Sequence, residues 1–274
     1  LKIEVVEKNP TTVKFILRGV STPLANAIRR AMISEVPVLA IDDVFIFENT
    51  SVLRDEMLAH RLGLIPLKTP PGKYRLREEC DCGSELGCEK CRVTLTLTAE
   101  AEDEVKTVYS GDLVSEDPDV KPVSPNIPIV KLAPGQKVRI MAYARLGRGR
   151  EHAKWQPVSM CVYKNLPVIE VLEECDGCGK CVEKCPRKIL RVKEGKLTVV
   201  DELDCILCKF CEDACPKVPP AIKVGYEKNS FLFTVESVGN LPPEELVAEA
   251  VDVMLSQVDD FDKAFREAVG VGQG

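Results

Sequence analysis

With 274 residues the chain is long enough for two or three domains, and its 45% hydrophobic and 29% charged residues are those of an ordinary soluble globular protein. No stretch approaches the ~18 consecutive apolar residues of a membrane span, the amino terminus lacks the charged-then-apolar order of a signal peptide, and a net charge of -6 excludes a surface that coats nucleic acid throughout. Thirteen cysteines would suit a secreted disulfide scaffold, but twelve of them fall in three tight groups of metal-ligand spacing, so the expectation is metal and a cytoplasmic chain.

Residues 1–8 alternate apolar and polar, Asn9-Pro10-Thr11-Thr12 is turn chemistry, and residues 13–17 alternate again, which predicts an opening β-hairpin. A helix follows, with Thr22 as N-cap and Pro23 in the first helical position. Leu24, Ala27, Ile28, Ala31 and Met32 recur along it at helical spacing up to the stop at Pro37. Periodicity alone reads that face as core.

Cys80-x-Cys82-x5-Cys88-x2-Cys91 lies in a loop rich in glycine and charge. Four thiolates so close in sequence can close a tetrahedral zinc site around a segment with almost no apolar residue of its own. The alternative is an unligated, oxidisable loop. Beyond it, Val93-x-Leu95-x-Leu97 and Val138-x-Ile140-x-Ala142-x-Ala144 alternate over a strand's length, with proline-rich connections between Pro118 and Pro134, so a β-rich insertion is expected. Cys161 stands alone in an apolar strand and reads as a small buried hydrophobe. His60 and His152 have no carboxylate or nucleophile motif around them, which favours packing or partner contact over catalysis.

The chemistry concentrates between Cys175 and Pro216. Cys175-x2-Cys178-x2-Cys181-x3-Cys185-Pro186 is repeated as Cys205-x2-Cys208-x2-Cys211-x3-Cys215-Pro216, the pattern of a two-cluster ferredoxin. In that pattern three thiolates of one motif hold a cluster and the fourth cysteine ligates the other. The expectation is two [4Fe–4S] clusters, one on Cys175, Cys178, Cys181 and Cys215, the other on Cys205, Cys208, Cys211 and Cys185. A three-iron form at either site is compatible with the same ligands. Zinc knuckles or disulfides are the plainer alternative, but neither asks for the third cysteine, the fourth and the proline at these spacings, twice.

The ferredoxin module carries a strand pair at residues 188–192 and 197–200, around Glu194-Gly195. A second hairpin is expected beyond it, residues 221–226 and 231–236 around Glu227-Lys228-Asn229. Pro242-Pro243 then starts the longest helix. Leu246, Val247, Ala250, Val251, Met254, Val258, Phe261 and Phe265 follow one of its faces for about 25 residues, roughly 37 Å.

The wording of three segments goes further than their periodicity. The run from Arg18-Gly19-Val20-Ser21-Thr22-Pro23 through Arg29-Arg30-Ala31-Met32 to Ile41-Asp42 resembles the dimerisation motif of RNA polymerase α-like subunits, nearest to the archaeal D type. Ala59-His60-Arg61-Leu62-Gly63-Leu64-Ile65-Pro66-Leu67 and Glu151-His152-Ala153-Lys154-Trp155 are similar to segments of the same family. With the inserted ferredoxin module, the resemblance covers essentially the whole chain.

The resemblance implies an α+β chain in four parts. Residues 1–42 and 223–274 form one dimerisation domain, interrupted by a β-rich insertion domain at 43–165 and a ferredoxin-like domain at 166–222. It also implies pairing with a smaller α-like partner, the L subunit, through Leu24, Ala27, Ile28, Ala31 and Met32 of the first helix. The last helix would contribute Leu246, Val247, Ala250, Val251, Met254, Val258 and Phe261. On this heterodimer the small N and P subunits and the large catalytic subunits of the polymerase would assemble. The chain itself would carry no catalytic residues and would meet DNA only through the complex. Two other classes stay open on the residues: a ferredoxin-type electron-transfer protein with a docking domain, and a DNA-binding module using the zinc loop and Arg145-Leu146-Gly147-Arg148-Gly149-Arg150.

Overall fold

The computed structural model describes residues 1–270; the last four residues of the expected second dimerisation segment lie outside them. In chain order the elements begin with strands β1 (Lys2–Lys8) and β2 (Thr12–Arg18), helix α1 (Thr22–Ser34), strand β3 (Val38–Asn49) and helix α2 (Asp55–Gly63). Strands β4 (Arg92–Glu100), β5 (Lys106–Tyr109), β6 (Val114–Ser115), β7 (Pro128–Leu132), β8 (Lys137–Gly147) and β9 (Val158–Val171) follow. The chain continues through α3 (Lys180–Lys184), β10 (Leu190–Lys193), β11 (Lys196–Val199), α4 (Phe210–Asp213), β12 (Ile222–Ser237) and α5 (Pro243–Val269).

Packing divides the chain into two compact units. Leu1–Lys8, Lys14–Asn26 and Val162–Thr234 make one unit; Asn9–Val13, Ala27–Cys161 and the chain from Val235 onward make the other.

The first unit is built on a sheet in the order β1-β2-β12-β9. Phe15 of β2 stacks on Phe233 of β12 at 5.0 Å, and Tyr163 of β9 meets Phe231 edge-on at 5.2 Å. The second expected hairpin is absent, because β12 runs unbroken through Glu227-Lys228-Asn229. Asn229 adopts φ 56°, as a turn residue would, but its carbonyl accepts from the amides of Gly19 and Val20, so the left-handed residue kinks the strand without reversing it. The pair β10–β11 forms as expected around Glu194-Gly195.

The second unit holds the antiparallel sheet β3-β8-β4-β6 and the smaller pair β5–β7. Alternation along β4 and β8 sends Val93, Leu95, Leu97, Val138, Ile140 and Ala142 to one side, where they pack with Leu58 and Leu62 of α2. The first expected helix forms, but its cap sits one residue earlier: Ala25 N–H donates to Ser21 C=O at 3.0 Å and Thr22 is already helical. In α5, Pro243 occupies the first turn and Gly270 closes the helix at φ 68°.

Candidate metal centres

The loop between α2 and β4 gathers Cys80, Cys82, Cys88 and Cys91 so that all four sulfurs lie within 4.8 Å of one another. Cys80–Cys88 are 3.7 Å apart, and Cys82–Cys91 and Cys88–Cys91 are each 3.9 Å apart. A tetrahedral zinc with Zn–S near 2.3 Å sets sulfurs at about 3.8 Å, so the cage has the size of one such ion. Gly83 and Gly87 supply positive φ on either side of the bend, and the Cys88 amide donates to Cys91 Sγ at 3.2 Å. Burial pushes the Cys91 thiol up to about 12, while the Lys90 amide brings Cys88 down to about 7. A cation among these sulfurs would favour all four thiolates, and binding it would release protons.

The eight later cysteines separate into two cavities. One is lined by Cys175, Cys178, Cys181 and Cys215, the other by Cys205, Cys208, Cys211 and Cys185, so each joins three thiols of one motif to the fourth of the other. No three of these eight come within 4.8 Å of one another, unlike the zinc-type loop. A single ion needs sulfurs that close; a cube carrying one iron at each ligated corner holds them farther apart.

The two motifs share one backbone course. Positive φ occurs at Gly177 and Gly179 in the first and at the equivalent Leu207 and Lys209 in the second. Glycine reaches this region freely, whereas Leu207 and Lys209 take it at a cost of ~1–3 kcal/mol each. At Leu207 that conformation turns a backbone amide toward sulfur, its N–H donating to Cys205 Sγ at 3.5 Å; farther along the chain, Ala221 N–H donates to Cys215 Sγ at 3.3 Å. Burial raises the Cys181, Cys205 and Cys211 thiols, Cys211 to about 11, so buried thiolates here call for a cationic partner. The donor set, its spacing and its amide donors fit an iron–sulfur cluster in each cavity.

Side chains that no motif announces hold these loops. Lys164 Nζ donates to the carbonyls of Leu203 and Cys205, Glu202 accepts from the Ile169 amide at 2.5 Å, and Glu212 accepts from the Val224 amide. Arg187 forks onto Asp204. Only the charge of these residues was visible in the sequence, since the partners are mostly backbone atoms distant in the chain.

Of the proposed interface residues, Ala31, Met32, Leu246 and Ala250 are buried within the chain itself. They are core here, because a helix in contact with its own unit turns its small and innermost positions inward. Ala27, Ile28, Val247 and Met254 are half-buried, and Leu24, Val251, Val258 and Phe261 are exposed. Cys161 is buried, as expected, with its thiol pushed up to about 12 by that burial. His60 and His152 are exposed and line one shallow cavity with Asp42 and Lys154. The basic run is committed to carboxylates of the same chain, Arg145 to Asp42, Arg148 to Glu78 and Arg150 to Glu35, which leaves little for phosphate. No described helix is long and apolar enough to cross a membrane.

An antiparallel sheet domain and a module with two four-thiol cavities, carried on one chain, define a class of iron–sulfur protein. Comparison with known families agrees: residues 41–168 match the RNA polymerase Rpb3/RpoA insert domain and residues 174–219 the 4Fe-4S dicluster domain. Relatives match at full length. The chain is 45% identical to DNA-directed RNA polymerase subunit Rpo3 of Methanosarcina acetivorans, over 95% of this chain and 97% of that protein. It is 44% identical to the subunit of the same name from Archaeoglobus fulgidus, over 97% and 98%, and 42% identical to that of Thermococcus kodakarensis, over 95% and 96%. The chain belongs to the Rpo3 family of DNA-directed RNA polymerase subunits.

Proposed function

We propose that this chain is a noncatalytic assembly subunit of a cytoplasmic, archaeal-type RNA polymerase. It pairs with a small α-like partner of the L type and, as that pair, receives the N and P type subunits and the large subunits that carry the catalytic residues. The observation that carries this reading is the open face of α5. Val251, Leu255, Val258, Phe261 and Phe265 are all 40–70% exposed along one helix, and Phe261 stacks on Phe265 at 6.0 Å. An apolar stripe of that length on a charged chain marks a protein interface. Family membership supplies the identity of the assembly.

In this reading Cys175, Cys178, Cys181 and Cys215 hold one [4Fe–4S] cluster, Cys205, Cys208, Cys211 and Cys185 hold the other, and Cys80, Cys82, Cys88 and Cys91 hold Zn2+. When bound, the clusters supply cross-links between loops and a capacity for one-electron change. The chain's own residues favour the structural use: Cys181, Cys205 and Cys211 are buried among Ile189, Leu190 and Ile222 as part of the module's core. A module this small builds little core without such cross-links.

An anaerobic affinity capture of the tagged chain from its native extract tests the assembly, with partners identified by mass spectrometry. Polymerase subunits together with a small α-like partner are expected, and Phe261→Asp should lose them. Capture of oxidoreductases without polymerase would replace this reading with electron transfer.

A further inference from the structure

The second unit contains a cavity of about 410 Å³ that no metal site or α5 stripe uses. Its floor is apolar, formed by Leu76, Leu146 and Leu241, with Tyr74 and Pro70 in the walls. Its rim carries four carboxylates, Glu79 from the zinc-type loop and Glu245, Glu249 and Asp252 from α5, against one cation, Arg75. The volume is near the lower end of ligand clefts, about 300–1,000 Å³, and suits a few side chains rather than a folded element.

Three of the four rim charges are unspent among the described residues. Glu79 stands 3.6 Å from Arg148, but Glu245, Glu249 and Asp252 form no hydrogen bond or ion pair among the described residues. Glu245 sits in the first turn of α5, where the helix dipole favours a carboxylate. Glu249 and Asp252 lie beyond that turn, one helical turn apart, where like charges repel. Burial, and then Asp252, push the Glu249 carboxyl above its ordinary value.

We infer that this cavity seats a basic segment of a neighbouring polypeptide, an arginine or lysine flanked by an apolar residue. Long basic side chains lay an aliphatic stem on apolar surface and keep the charge at its edge. The leucine floor takes the stem and the flanking residue, and the α5 carboxylates take the charge. Within the polymerase reading, on which the partner's identity rests, the segment belongs to another subunit.

Two measurements test this. A labelled peptide alternating leucine with arginine, and its glutamate counterpart, are titrated onto the purified full chain at low salt. The arginine peptide should bind at least tenfold more tightly. That preference should vanish in the double variant Glu249→Lys with Asp252→Lys and in Ala248→Trp, which narrows the cavity, but survive Glu102→Lys with Asp103→Lys, which alters net charge equally elsewhere. Equal binding of the two peptides, or a preference that the cavity variants leave unchanged, overturns the inference whatever the chain assembles with.

A photo-crosslinker placed at Ala248 in the captured assembly then identifies the occupant. A basic, apolar-flanked peptide from a polymerase subunit supports both readings. The same kind of peptide from an unrelated protein keeps the cavity assignment and removes the polymerase partner. An acidic peptide, or no interchain crosslink, overturns the occupant proposed here.

Discussion

Lys164 Nζ, on β9, donates to the backbone carbonyl of Cys205 at 2.8 Å, and also to that of Leu203 at 2.5 Å. A sheet strand thus grips the loop that opens the second cysteine motif by a cation placed on its peptide oxygens. Hydrogen bonds to a charged donor contribute ~1.5–3 kcal/mol each when buried, and Lys164 is half-buried, so about 2 kcal/mol for the pair is a fair magnitude. Lys164→Met should therefore speed iron loss to a chelator from the Cys205 cavity by about thirtyfold, at ~1.36 kcal/mol per factor of ten, and leave the Cys175 cavity unchanged. Equal rates in variant and parent would remove Lys164 from any role in holding the loop.

Crossed lining of the cavities makes a prediction about pairs of cysteines. Cys185→Ser and Cys208→Ser touch the same cavity although they lie in different motifs, whereas Cys185 and Cys178 share a motif but line different cavities. Each single variant should lose about half of the chain's iron. Cys185→Ser with Cys208→Ser should lose no more than either alone, and Cys185→Ser with Cys178→Ser should lose nearly all. Iron per chain by elemental analysis, after anaerobic purification, separates this from uncrossed ligation, which predicts the opposite pairing.

Much of this was readable from residues because spacing and covalent reach are local. The cysteine motifs, the opening hairpin and the alternation of β4 and β8 all depend on neighbours in sequence. The Glu227-Lys228-Asn229 step misled for a physical reason: residues that favour a turn also favour a kink, and only the acceptor of the Gly19 and Val20 amides decides between them. Ala31, Met32, Leu246 and Ala250 carry the same apolar signal whether a helix face meets its own chain or another, so periodicity could not divide the stripe. Lys164, Glu202 and Glu212 left no signal beyond charge, because each binds backbone rather than a complementary side chain.

The zinc-type loop depends on one glycine. A Cβ at Gly87 would stand 2.9 Å from Cys91 Sγ, and its φ of +82° is one that other residues adopt only with strain. Gly87→Ala should weaken Zn2+ binding at least tenfold while leaving both iron sites intact. The check is protection of Cys80, Cys82, Cys88 and Cys91 from alkylation by one equivalent of Zn2+, followed by peptide mass. Full protection at the parent's Zn2+ concentration would mean that the cage tolerates the side chain and that its closeness is not what binds.

Asp42 ties the start of the insertion sheet to the Glu151-His152-Ala153-Lys154-Trp155 segment. Its carboxylate lies 2.5 Å from both Arg145 and Lys154, and those two cations flank the ring of Trp155 at 4.4 and 4.3 Å. Burial alone would raise the Asp42 carboxyl, but hydrogen bonds from Lys154 and Arg145 outweigh it and hold the group below the ordinary carboxylate value of 3.8. A depressed folded-state value means that the stabilisation is fully present above the unfolded value and is lost as pH falls through the folded one. Asp42→Asn should then cost about 2–3 kcal/mol at neutral pH, less than the ~3–5 kcal/mol of a fully buried pair because the group is partly exposed. The gap between parent and variant should stay constant above about pH 5 and close below pH 4. Trp155 is the chain's one tryptophan and is 3% exposed, so denaturant titrations followed by its fluorescence report on this corner directly. A gap that persists unchanged at the lowest pH where the parent still folds would mean that Asp42 acts there by packing rather than by charge.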